Sequence, residues 1–185
     1  MKRVISVHGW GGAPEEGWRP WLGRGLAKHG IAFVNPPMPN PQYPTESEWV
    51  AAIAGAVGCP DTDTFLIGHS LGSIALLRYL ETLSGDDEVG GVLLIAGFTD
   101  DLGISELSNF FRKPINWEAI RQRSERFVSI QSDNDPYDLA GYNKEFQDYL
   151  SAKTYLLHDR KHFSGDDGID TFPEALEALV GFVTE

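Results

Sequence analysis

The chemistry in this chain starts at Ser70, the centre of Gly68-His69-Ser70-Leu71-Gly72, a G-x-S-x-G pentapeptide. A serine hydroxyl is a poor nucleophile at neutral pH and needs a base to take its proton, commonly an imidazole oriented by a carboxylate. Five histidines are available: His8, His29, His69, His158 and His162. His69 flanks the serine and is expected to point away from it, beneath its strand. His29 falls at a helix C-terminus, where positive charge is merely favourable, and His8 lies in a glycine-rich loop whose backbone it is expected to shape. His158 and His162 remain, and His162, further into its loop, is freer to reach back towards the serine. For the acid, Asp133, Asp135 and Asp138 lie within six residues of one another. Asp133 comes early, close to the end of a strand. Asp138 follows Pro136 by two residues, which suits a helix's first turn and a carboxylate serving the dipole. Asp135 immediately precedes Pro136, whose ring forces the preceding residue into an extended conformation that can project its side chain across a sheet edge. The alternative for Asp135 is simple capping of the helix that follows.

The elements around these residues decide whether they can meet. Thr64-Phe65-Leu66-Ile67 is a short β-prone run, and Leu71, Ile74, Ala75, Leu77 and Leu80 recur at helical spacing. Ser70 is thereby pinched between strand and helix, the layout of a nucleophile elbow, and the helix N-terminus aims N–H groups, Leu71's first, at the space where negative charge would develop. Five further strands are read at Lys2–Val7, Ile31–Val34, Val89–Ala96, Arg126–Gln131 and Lys153–Leu157. Helices are expected over Trp18 to Leu26, from the capping box Thr45-x-x-Glu48 to Val57, over Pro136–Leu150, and after Thr171-x-x-Glu174, with short helices broken at Pro114 between Ile104 and Gln122. Six strands alternating with helices predict an α/β fold: one domain, residues 1–185, a doubly wound, mostly parallel sheet with helices on both faces. Ligands in such sheets sit beyond the carboxyl ends of the strands. Ser70, the loop at 8–12, the segment Ser132 to Asp135 and the His158–His162 loop all fall there.

Composition removes several function classes. The net charge is −12, which argues against nucleic acid or an anionic membrane as partner. No apolar run approaches the ~18 residues of a membrane span, and the apolar stretch of a secretory signal is missing behind Lys2-Arg3. One cysteine, Cys59, leaves no internal disulfide framework; a cytoplasmic location is expected. Gly9-x-Gly11 begins a dinucleotide fingerprint, but Pro14 occupies its third glycine position and Asn35 ends the second strand where a ribose-binding acid belongs. His158-x-x-x-His162 has metal spacing only on a helix, and here it follows a strand without the glutamate of H-E-x-x-H. Neither cofactor nor metal is expected.

On these motifs the chain resembles the α/β-hydrolase superfamily, and within it the small lidless serine hydrolases of the YdeN-like and retinoblastoma-binding-protein type. The likeness spans nearly the whole chain. It rests on His8-Gly9-Trp10-Gly11-Gly12, Met38-Pro39, the elbow pentapeptide, Asp101-Leu102-Gly103, Trp117-Glu118, Asp135-Pro136-Tyr137 and His162-Phe163. The resemblance implies a triad of Ser70, Asp135 and His162, with an oxyanion hole of backbone N–H groups from Leu71 and Trp10. It does not imply retinoblastoma-protein binding, because the L-x-C-x-E segment that confers it reads Val57-Gly58-Cys59-Pro60-Asp61 here.

The reaction expected is hydrolysis of a small ester, thioester or amide through an acyl-enzyme on Ser70, without a cofactor. The segment from Gly97 to Glu125 is too short for a full lid domain, so Phe98, Phe110, Phe111 and Trp117 are expected to wall an open pocket with Trp10. The competing expectation is a scaffold of the same fold whose triad is idle and whose work is protein contact.

Overall fold

The computed structural model describes residues 1–184. Six strands, β1 (Arg3–Val7), β2 (Ala32–Val34), β3 (Thr64–His69), β4 (Gly91–Ile95), β5 (Phe127–Ser132) and β6 (Lys153–Leu157), form one sheet in the order β2-β1-β3-β4-β5-β6. Every neighbouring pair is parallel. All residues of β3, β4 and β5 are buried, whereas every residue of the edge strands β2 and β6 is half-buried or exposed. Strands covered on both faces read as continuous apolar runs, which is why the central ones stand out in the sequence.

Six helices connect and cover the strands: α1 (Arg19–Ala27), α2 (Glu46–Val57), α3 (Leu71–Leu80), α4 (Trp117–Arg121), α5 (Tyr142–Leu150) and α6 (Pro173–Thr184). The chain starts at β1, steps outward to β2, then returns across β1 to β3 and proceeds to β6. Right-handed crossovers in those two directions put helices on opposite faces. Accordingly α1 packs against α6 on one face, while α2, α3, α4 and α5 contact one another in turn on the other. The strand order reverses between β1 and β3. The crevice beyond that reversal is where a doubly wound sheet binds ligands.

The sheet's core is aliphatic, with aromatic clusters on either side. Trp18, Phe163 and Phe172 pack on the α1/α6 face, the two phenylalanine rings stacked at 5.0 Å; Trp49 and Phe110 meet edge to face on the other.

Two helix starts differ from expectation. The Thr45 hydroxyl donates to the Glu48 carboxylate at 2.8 Å instead of accepting from the helix backbone, and the Glu46 N–H donates to Asn109 Oδ1 at 2.7 Å. The long helix expected from Pro136 begins only at Tyr142, after a short 3-10 turn at Leu139–Gly141. Asp138 adopts φ 55°, a left-handed conformation that no α-helix can pass through. Asp138 therefore serves no helix dipole, and Asp135 caps no helix.

Candidate active site

The elbow is built by what glycine lacks. A Cβ on Gly72 would sit 2.3 Å from Val7 O, and one on Gly68 would sit 2.6 Å from Ser73 Cα. The start of α3 thus lies directly on β1 and β3, closer than any side chain allows. Between those glycines Ser70 takes φ 53° and ψ −124°, a strained geometry that a residue with a Cβ keeps only where its surroundings enforce it. The strain lifts the hydroxyl off the sheet end while leaving the side chain 8% exposed as part of its residue.

The three predicted side chains come together from three strands. His162 Nε2 lies 2.9 Å from Ser70 Oγ, and His162 Nδ1 lies 2.8 Å from Asp135 Oδ2. A carboxylate only accepts, so Nδ1 carries the proton and Nε2 is free to take the serine's. Asp135 Oδ1 accepts from Tyr137 N–H at 2.9 Å, and its carboxylate is fully buried. The Tyr137 ring meets the His162 imidazole edge on at 4.9 Å. Strands sit about 4.8 Å apart, so the loop after β6 has to cross back over β5 and β4 to reach Ser70, and it does so through three left-handed residues, Asp159, Lys161 and Phe163.

His158 and Asp133 form a second, separate pair at 2.6 Å. This imidazole is 90% exposed. Asp133 also accepts from Asp159 N–H at 3.0 Å, and Asn134 Oδ1 accepts from Lys161 N–H at 2.7 Å, so the pair belongs to a network that ties the two loops together. The hydrogen bond between them raises the His158 pKa and lowers that of Asp133.

A sequence model described as serine hydrolase matches residues 4–180. The chain belongs to the serine hydrolase family. It is 32% identical over 184 residues to the serine hydrolase RBBP9 of Rattus norvegicus, covering 98% of this chain and 94% of that one. YdeN of Bacillus subtilis is 26% identical over 185 residues, covering 100% and 97%. The crystal structure of the ydeN gene product superposes with a TM-score of 0.95 over the whole of both chains. The compact six-stranded architecture is thus that of the ydeN gene product.

Two hollows open on either side of the serine in this family member. The larger, about 280 Å³, runs between the Gly9–Gly12 loop and the segment after His162, with Glu16, Arg19, His69 and Asp166 along it. The smaller, about 90 Å³, is apolar and is bounded by Trp10, Leu71, Phe98, Leu102, Ile104, Leu107 and Tyr137. Of the aromatic wall expected from sequence, Trp10 and Phe98 are present. Phe110, Phe111 and Trp117 are not: Phe110 is buried against Trp49, Phe111 packs behind Phe98, and Trp117 stacks on Tyr149 at 4.8 Å. Their places are taken by Leu102, Ile104 and Leu107, in a loop without periodicity, and by Tyr137.

Two histidines shape the site from beneath. His8 Nδ1–H donates to Gly9 O at 2.8 Å and its Nε2 accepts from Met38 N–H at 3.2 Å, which fixes the first loop as expected. His69 lies against the returning loop. Its Nε2 lies 2.7 Å from His162 O and its ring centroid 5.1 Å from that of His162. Burial lowers the pKa of both, and in His69 the neighbouring His162 and Arg19 lower it further. Among the described residues, no group of three His, Cys, Asp or Glu side chains is placed to hold a metal ion. No helix of the described residues is long and apolar enough to cross a membrane.

Proposed function

We propose that this serine hydrolase cleaves small esters by acyl transfer from substrate to Ser70 and then to water, with thioesters and amides as chemically related substrates. The observation that carries the reading is the continuous line from Ser70 Oγ through His162 to the buried Asp135, at 2.9 and 2.8 Å. In it His162 Nε2 takes the serine proton as Oγ attacks the carbonyl carbon. Asp135 holds the imidazole in the accepting tautomer and stabilises the cation that forms.

The oxyanion needs preorganised donors. Leu71 N–H, in the first turn of α3, has no acceptor within its helix, and Trp10 N–H makes no hydrogen bond among the described residues. Both flank Ser70 and serve as the oxyanion hole. His162 then protonates the leaving group, and the same steps with water in place of the serine release the acid. The apolar hollow beside Leu71 receives the acyl chain, and the larger, more polar one receives the leaving group. At about 90 Å³ the first holds only a short chain.

Ser70→Ala lowers turnover of p-nitrophenyl acetate by on the order of 10⁴-fold or more, because the triad acts as a unit. A soluble, folded Ser70→Ala protein retaining half the activity contradicts the assignment.

A further inference from the structure

The loop that presents His162 is held against its own backbone preferences. Asp159, Lys161 and Phe163 have φ of 56°, 48° and 56°, and left-handed residues with a Cβ persist only where neighbours over-determine them. Two ring N–H groups provide that constraint from below, on consecutive carbonyls. His69 Nε2–H donates to His162 O at 2.7 Å, and Trp18 Nε1–H donates to Phe163 O at 2.9 Å. From the other side Asp167 Oδ2 accepts from His162 N–H and Ser164 N–H, each at 3.1 Å.

The direction of the His69 bond is set by a third residue. Arg19 Nη2 lies 3.3 Å from His69 Nδ1. A guanidinium has no acceptor, so Nδ1 accepts and the ring proton sits on Nε2, the atom that faces His162 O. Arg19 is itself 4% exposed. Its guanidinium lies over the Trp18 ring at 4.8 Å and its Nη1 donates to Glu16 O at 3.4 Å, so it is not free to turn away.

We propose that His69 is a positioning residue for the hydrolytic reaction: with its tautomer set by Arg19, its Nε2–H holds the His162 carbonyl and so aims the His162 imidazole at Ser70. This rests on the reading of His162 as the base. The arrangement has an electrostatic side as well. During attack His162 becomes a cation 5.1 Å from the His69 ring, and a charged His69 would oppose that step. Burial disfavours protonation of His69, and so do the titratable groups facing it, the His162 imidazole, Arg19 and His8; its bond to the His162 carbonyl acts the other way, and the balance holds the pKa well below the ordinary value. His69 is therefore a neutral donor under a group that must gain charge.

Two measurements test this. Imidazole ¹⁵N–¹H correlation spectra of the intact protein report His69 directly, whether or not a substrate is known. His69 keeps one proton, on Nε2, as the pH falls through the ordinary histidine value of 6.5; a proton on Nδ1, or titration at or above that value, overturns the proposal. The second compares His69→Gln, whose amide can still donate to the His162 carbonyl, with His69→Met, which cannot. His69→Met lowers kcat by on the order of 10²-fold, the effect of misplacing a catalytic group by about 1 Å. KM stays within about twofold, as expected when only transition-state interactions are lost, and His69→Gln recovers most of the kcat. Equal losses in the two variants, or a loss that follows melting temperature alone, reduce His69 to packing and overturn the proposal. A wild-type protein without turnover contradicts the function proposed above, while the spectra still decide the His69 geometry.

Discussion

Asp135 and Asp133 each hold a histidine, and the two pairs divide the loop after β6 between them. Asp135 Oδ2 binds His162 Nδ1 at 2.8 Å inside the protein, and Asp133 Oδ2 binds His158 Nδ1 at 2.6 Å in solvent. The acids stand two residues apart on one loop and the histidines four apart on the other. Only the inner pair reaches a nucleophile. Asp135→Asn is therefore expected to cut ester turnover by up to ~10⁴-fold through the wrong imidazole tautomer, with little change in melting temperature. Asp133→Asn leaves turnover within about twofold, since an exposed pair contributes little. Steady-state rates for the two variants check this, and a dead Asp133→Asn beside an active Asp135→Asn moves the acid two residues upstream.

Gly72→Ala tests the elbow's construction. The added Cβ meets the carbonyl oxygens of Val7 and His8 at 2.3 and 2.7 Å, and backbone cannot swing aside as a side chain tip can. The overpacking is expected to lower the melting temperature by about 4 °C or more and to reduce activity with it. Calorimetry decides; an unchanged melting point means that α3 does not lie where it is described.

Much of this was legible in the chain itself. β3 and β4 are covered on both faces, so their apolar runs Phe65-Leu66-Ile67 and Val92-Leu93-Leu94-Ile95 are uninterrupted, and the expected and observed bounds of β6 agree at Lys153–Leu157. The elbow was visible because a strand run stops, and a helical period starts, on either side of one serine. Side-chain direction was harder. His69 was expected beneath its strand, but the end of β3 turns it towards the returning loop, which the sequence places 93 residues away. Phe110 and Trp117 were assigned to the pocket by type. Aromatic residues follow the largest available apolar surface, and here that is Trp49 for one and Tyr149 for the other. The hollow is lined instead by aliphatic loop residues that carry no periodic signal.

Acid should destabilise the fold through its buried histidines. Burial lowers the pKa of His69 and His8 from 6.5, so below that value the unfolded chain binds protons that the folded one refuses. Stability is then full above about pH 6.5 and falls as the pH drops towards the depressed folded values, by at most about 1.4 kcal/mol per pH unit for each histidine. The His158–Asp133 pair has the opposite sign at its histidine. Its pKa is raised, so its contribution is complete below the ordinary value and lost as pH rises through the raised one. Exposure keeps that contribution small. Urea titrations from pH 5 to 8 report the sum, and His69→Gln should flatten the acid side; a slope unchanged by that substitution contradicts the assignment of a neutral, buried His69.

Acyl length is set by the small hollow. Comparison of p-nitrophenyl acetate, butyrate and palmitate is expected to rank the short esters first, and Ile104→Ala, which opens the wall at a half-buried position, is expected to shift the preference towards the longer of the two. A wild-type preference for palmitate refutes the short-chain reading.

The central claim is that Ser70 is an activated nucleophile, and the most direct measurement is stoichiometric reaction with a fluorophosphonate, read by intact mass and by the modified peptide. One adduct per chain is predicted, on Ser70, and it is abolished in both Ser70→Ala and His162→Ala. An intact, folded protein that stays unlabelled, or an adduct that survives Ser70→Ala, contradicts it and leaves the fold as a scaffold without this chemistry.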